Sequence, residues 1–140
     1  MIGRAPSGDL IQTFGDAIET FDDAVNVGNY DNFKQYLYPS KVLIQKVDDP
    51  GDFRYGNATS IIKYLNDEQA ATSDFPLFTL GFPVARIYTS EKGEQIGNVT
   101  GNGTYQDTYT STHPITVLYC LRFKQKSGDW LLASAFVTPI

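Results

Sequence analysis

One cysteine, one histidine, one methionine and one tryptophan among 140 residues rule out more chemistry than the rest of the sequence offers. Cys120 has no second cysteine to bridge, so no intrachain disulfide and no thiolate cluster is expected. His113 stands alone, which removes the usual zinc and iron patterns and leaves no expected cofactor. Charged residues make up only 19%, sum to −5 and include no run of Lys or Arg, so a nucleic-acid backbone is not an expected partner. No stretch approaches the ~18 apolar residues of a membrane span, and MIGRAPSGDL has no apolar signal core. A cytoplasmic protein without a membrane partner is the expectation.

Aromatic residues are plentiful: nine Phe and nine Tyr. Rings bring large contact area, which suits a sheet-rich core and also a ring-lined pocket. The length fits a single domain over residues 1–140, with 1–6 as a loose lead-in. Ser7 or Asp9 can cap a helix to about Val27. Its residues Leu10, Ile11, Phe14, Ala17, Ile18, Phe21, Ala24 and Val25 share one face at 100° per residue. Gly28 is the natural stop. A short helix from Asp31 carries Phe33, Tyr36 and Leu37 and ends at Pro39. Residues 41–47 read as a strand, DDPGD (48–52) as a turn, and Asn57 as the cap of a third helix burying Ile61, Ile62 and Leu65.

From about Asp74 the pattern alternates like strand, over 77–90, 95–110, 115–124 and 130–138, with turns between. Helices first and antiparallel strands afterwards predict an α+β domain, a long helix on a strongly curved sheet that can bend at Gly97, Gly101 and Gly103. In 115–124 the odd residues Ile115, Val117, Tyr119, Leu121 and Phe123 form the better inner face. Leu118 and Cys120 then point outward and, with Leu131 and Ala133, offer a patch through which the outer sheet face pairs two copies. The sequons at Asn57, Asn98 and Asn102 read as Asn/Thr-rich turns and strands.

Three segments carry a resemblance to a family: NVGNYDNFKQYLYPSKV (26–42), YGNATSIIKYL (55–65) and LRFKQKSGDWLLASAFV (121–137). With these the chain resembles the NTF2-like superfamily, the cystatin-like cone shared by SnoaL-type proteins and ketosteroid isomerases. The resemblance implies long and short helices on a curved, mainly antiparallel mixed sheet. It also implies an apolar cavity for a small, largely apolar molecule, lined here by Phe14, Ile18, Phe21, Lys46, Tyr105, Tyr119 and Phe123. The family's chemistry finds few matches. The three ketosteroid isomerase positions fall on Lys46, Phe21 and Tyr119, none of them a carboxylate. Scytalone dehydratase needs two histidines. The last strand offers only Ser134 and Thr138 where SnoaL-type cyclases keep an acid or base. An Asp-Arg-Asp relay of the epoxide hydrolase type would need Arg86, Asp107 and Arg122 together.

A further resemblance is to the C-terminal domain of orange carotenoid proteins, through EQIGNVTGNGTYQ (94–106) and LRF (121–123). The ring-anchoring Tyr and Trp of that family fall at Phe21 and Leu121. Three expectations follow: a small-molecule binder; an isomerase, dehydratase or cyclase using Tyr119 as donor and Asp107 as acid or base; or a structural or interaction domain whose cone is filled by its own aromatics.

Overall fold

A computed structural model describes residues 6–46, 49–70, 77–81, 83–106 and 113–140. The chain opens with helix α1 (Pro6–Val27). A proline is harmless in a first turn, where its missing N–H would have no partner. Leu10, Phe14, Ala17, Ala24 and Val25 are buried along one face, and Ile18 and Phe21 pack beside them. Ile11, expected on that face, sits at its rim and is 37% exposed. Gly28 ends α1 with φ 73°, and the N–H groups of Gly28 and Asn29 both donate to the Ala24 carbonyl, at 2.8 and 3.1 Å.

A 3-10 helix (Asp31–Tyr36) follows, as the Asp31 and Pro39 signals predict. The Asn29 side chain accepts from the Asp31 N–H at 2.8 Å. Asn66, in helix α2 (Ala58–Ala70), accepts from the Tyr30 N–H at 2.8 Å and donates to Asp31 Oδ1 at 3.0 Å. One amide thus ties α2 to the corner between the first two helices. Asn57 caps α2 as expected, its Oδ1 accepting from the Ser60 N–H at 2.8 Å.

The strands are β1 (Val42–Lys46), β2 (Asp49–Gly56), β3 (Leu77–Leu80), β4 (Val84–Thr89), β5 (Gln95–Gln106), β6 (Ile115–Lys126) and β7 (Asp129–Pro139). They form one mixed sheet in the order β2-β1-β7-β6-β5-β3, with β4 also on β5. All pairs are antiparallel except β1 with β7. This is the α+β cone that the sequence predicts, with three corrections.

First, Asp49–Gly56 is a strand where a turn was expected. It pairs antiparallel with β1, and Phe53 and Tyr55 alternate outward from it. Second, the segment read as one strand over 77–90 is two. They break around Gly81, where a Cβ would lie 2.8 Å from the Asn102 carbonyl oxygen. Third, the β6–β7 register shifts between Arg122 and Phe123, so that Arg122 faces Ser134 while Phe123 faces Leu132. Ala133 is the extra residue of this bulge and reverses the parity of β7. Outward side chains before it therefore become inward ones after it, and Phe136 takes the outer place beside Cys120 that was expected for Leu131 and Ala133.

Candidate functional site

The concave face of the sheet is where a cone would hold a ligand. The odd residues of β6 do face it: Val117, Tyr119, Leu121 and Phe123 are buried, while Ile115 at the strand's start is 43% exposed. Phe123 is fully buried, and Phe14 of α1 stacks on Tyr119 with ring centroids 5.8 Å apart and planes 9° off parallel. The Tyr119 hydroxyl donates to the Gly81 carbonyl oxygen at 3.0 Å, and burial raises its pKa. A substrate would have to compete for that hydroxyl inside a packed stack.

The glycines of β5 explain how this packing is reached. Gly101 lies opposite Tyr119 in the register, and a Cβ there would sit 2.5 Å from the Tyr119 hydroxyl oxygen and 2.7 Å from Cζ. The ring lies in the space left by the missing side chain. At Gly97 a Cβ would sit 2.5 Å from Leu10 Cδ2 and 3.3 Å from Trp130. At Gly103 it would sit 2.3 Å from the Thr79 carbonyl oxygen of β3. The sheet's glycines thus admit the helix, an aromatic ring and a neighbouring strand.

Phe21 belongs to a second aromatic group, 5.4 Å from Tyr30 and 5.2 Å from Phe33. Tyr30 is 2% exposed, and desolvation pushes its pKa up to about 12. The expected pocket set is therefore split: Phe14, Tyr119 and Phe123 lie in the core, and Phe21 packs against the helix corner. Tyr105 stands near the end of β5, opposite Phe78 and Ile115, and is partly exposed. Lys46 ends β1 opposite Asp49, and its side chain lies outside the described residues, as does all of Asp107. Ile18, Ile44, Ala135 and Val137 pack against the core and are only partly buried.

Acid–base groups are sparse on this face. Arg86 and Arg122 both project outward, which separates them from the interior that an epoxide hydrolase relay would need. His113 is exposed. Among the described residues no group of three or more His, Cys, Asp or Glu could hold a metal ion. No helix of those residues is long and apolar enough to cross a membrane.

Asp22 has a raised pKa, from desolvation first and from neighbouring Asp23 second. Both acids stand near the C-terminal end of α1, where the helix dipole disfavours negative charge. A carboxyl whose folded pKa is raised favours folding only while protonated, and that favour is lost as pH rises through the folded value. Asp22→Asn should therefore raise the melting temperature at pH 7, and the gain should vanish near pH ~3. Equal melting temperatures for the variant and the parent at pH 7 would contradict this account.

The outer sheet face carries a row of exposed and half-buried side chains, most of them apolar. Following the register across the strands, Val84, Thr100, Cys120 and Phe136 form one row. Phe53 continues it, its ring 6.1 Å from that of Phe136 in an edge-on contact. Leu118 and Tyr55 flank the row and are 50% and 66% exposed, while Phe53 is 47% exposed. The alternation of Phe53 and Tyr55 about Arg54 was a strand signal in the sequence, hidden by the turn residues just before it.

No protein-family model matches the chain, and no curated protein matches it. Solved structures do. The chain is similar to a hub homology domain of calcium/calmodulin-dependent protein kinase II type from Chlamydomonas reinhardtii, at 13% identity and TM-score 0.67, covering 97% of this chain and 99% of that one. A candidate dehydratase of the NTF2-like family from Streptomyces avermitilis matches at 15% identity and TM-score 0.62, covering 97% and 99%. A candidate association domain of the same kinase type from Xanthomonas campestris matches at 12% identity and TM-score 0.60, covering 91% and 85%. Identities this low speak to architecture and not to activity. Together with the long helix, the curved sheet and the strand order, they show that the chain has the NTF2-like fold.

Proposed function

We propose that this NTF2-like domain acts by association, pairing with a second copy through the outer face of its sheet while its own aromatics fill the cone. The observation that carries this reading is the row Val84–Thr100–Cys120–Phe136–Phe53, apolar but for Thr100, with Leu118 and Tyr55 beside it. A contiguous exposed apolar patch of this kind is the usual mark of an interaction surface. A sheet face also suits a second sheet at about 10 Å spacing. The hub and association-domain relatives are named for assembly, which supports the same reading.

Sedimentation velocity tests it. The wild-type chain should be dimeric at about 10 μM. Phe136→Glu and Leu118→Glu should each weaken pairing by about a hundredfold or more, because each places a charge in a desolvated contact. Both side chains are off the core, so circular dichroism should stay unchanged. A wild-type chain still monomeric at about 100 μM would end the proposal.

A second reading is binding of a small apolar molecule at the open part of the concave face. It is favoured by Ile18, Ile44, Ala135 and Val137, which face inward yet stay partly exposed. Saturable binding of a fluorescent apolar probe to the wild-type chain is its check. Turnover by Tyr119 and Asp107 draws less support, since the Tyr119 hydroxyl is engaged with Gly81 within the core.

A further inference from the structure

The row next to the apolar one has a different chemistry. Reading across the strands it runs Arg86, Asn98, Arg122, Ser134, Leu43 and Tyr55. Arg86 and Arg122 are exposed, and they stand on either side of Asn98, so their backbones are about 10 Å apart, two strand spacings. Arg122 Nε donates to Asn98 Oδ1 at 3.4 Å, which leaves the amide Nδ2 of Asn98 as a further donor between the two guanidinium groups. On this side of the sheet Lys124 is the next outward residue of β6. The acidic residues nearest to it are Glu94, just ahead of β5 and 4.0 Å from Lys124 Nζ, and Asp129, the first residue of β7, opposite Lys126. No described acidic side chain shares a strand position with the row itself.

The protein as a whole is acidic, at −5, and α1 alone carries Asp9, Asp16, Glu19, Asp22 and Asp23. Positive charge gathered on one sheet face of such a chain favours a partner of opposite sign. A two-fold pairing through this face brings a second copy of the same basic row to the interface. Taking these arginines out of water without a counter-charge is costly. Planar guanidinium groups with an amide between them match the oxygens of phosphate or carboxylate.

We propose that Arg86, Asn98 and Arg122 form an oxyanion-binding site on the outer sheet face, and that a bound oxyanion strengthens the pairing of two copies. The site itself stands on the register and the side-chain chemistry. Its coupling to pairing rests on the association reading above.

The experiment uses the full chain, titrated with inorganic phosphate against sodium chloride at matched ionic strength. NMR follows the Asn98 side-chain amide and the arginine Nε groups, while sedimentation velocity is run in the same buffers. Phosphate should shift Asn98, Arg86 and Arg122 saturably and raise the pairing constant about threefold or more, by linkage. Arg86→Gln with Arg122→Gln should abolish both responses, and the variant should pair in chloride as well as the wild type does in phosphate. Both side chains are exposed, so folding should be unaffected, as circular dichroism will show. Shifts that survive in the double variant, or that chloride reproduces at the same ionic strength, overturn the site. Saturable shifts in a chain that stays monomeric uphold the site and overturn the coupling and the association reading together. Pairing that ignores phosphate while the shifts saturate overturns the coupling alone.

Discussion

Replacing Gly101 with valine should destabilise the fold by about 2–4 kcal/mol, an unusually large cost for adding a β-branched residue to a strand. Valine is otherwise favoured there. The cost comes from Tyr119, whose hydroxyl oxygen and Cζ lie 2.5 and 2.7 Å from where the new Cβ must go. The ring cannot swing aside freely, because Phe14 stacks on it and Gly81 accepts its hydroxyl proton at 3.0 Å. Moving it opens the stack and leaves a carbonyl without its donor. The two positions should therefore be coupled. In a Tyr119→Ala background, where a void replaces the ring, Gly101→Val should be near neutral, and the double-mutant cycle in urea should return about 2–4 kcal/mol of interaction. Strictly additive costs would mean that the ring does not occupy the glycine's space in solution.

That pair also shows what could and could not be read from the sequence. The helix punctuation was legible because it is local. Gly28 must take a positive φ, Pro39 cannot continue a helix, and Asn57 sits one residue ahead of a periodic apolar run. The inner face of β6 was legible from simple alternation. The polar partners were not, because they depend on register between distant segments. Tyr119 finds Gly81 across 38 residues and Asn66 finds Tyr30 across 36.

Parity along β7 failed for a related reason. One extra residue at Ala133 exchanges inside and outside, and nothing in LLASAF shows where the bulge will fall. It moved Phe136 to the outer face, between Cys120 and Phe53. The glycines of β5 were rightly expected to be special, but as hinges. They also let Leu10, Tyr119 and β3 come close. A sequence can reveal that a position lacks a side chain, while the group that takes the space is known only once the strands are paired.

The burial of Phe123 has a direct consequence. This side chain is fully buried on the inner face of β6, opposite Gly97 on β5 and Leu132 on β7. Gly97 is the position where Leu10 and Trp130 come closest, so the Phe123 ring stands among groups already drawn tight around a glycine. Phe123→Ala should cost about 3–5 kcal/mol, the range for a phenylalanine whose surroundings cannot collapse. The variant should then hold an apolar cavity, which stays dry and takes a benzene-sized guest. Saturating benzene should raise the variant's melting temperature and leave that of the wild type unchanged, since a guest stabilises only the form with room for it. A cost below about 1.5 kcal/mol would mean that the ring was loosely packed. Equal stabilisation of wild type and variant would mean that the cone already has room. Either result would take away the packed interior and shift support to small-molecule binding, because an unfilled cone with an apolar mouth is a pocket.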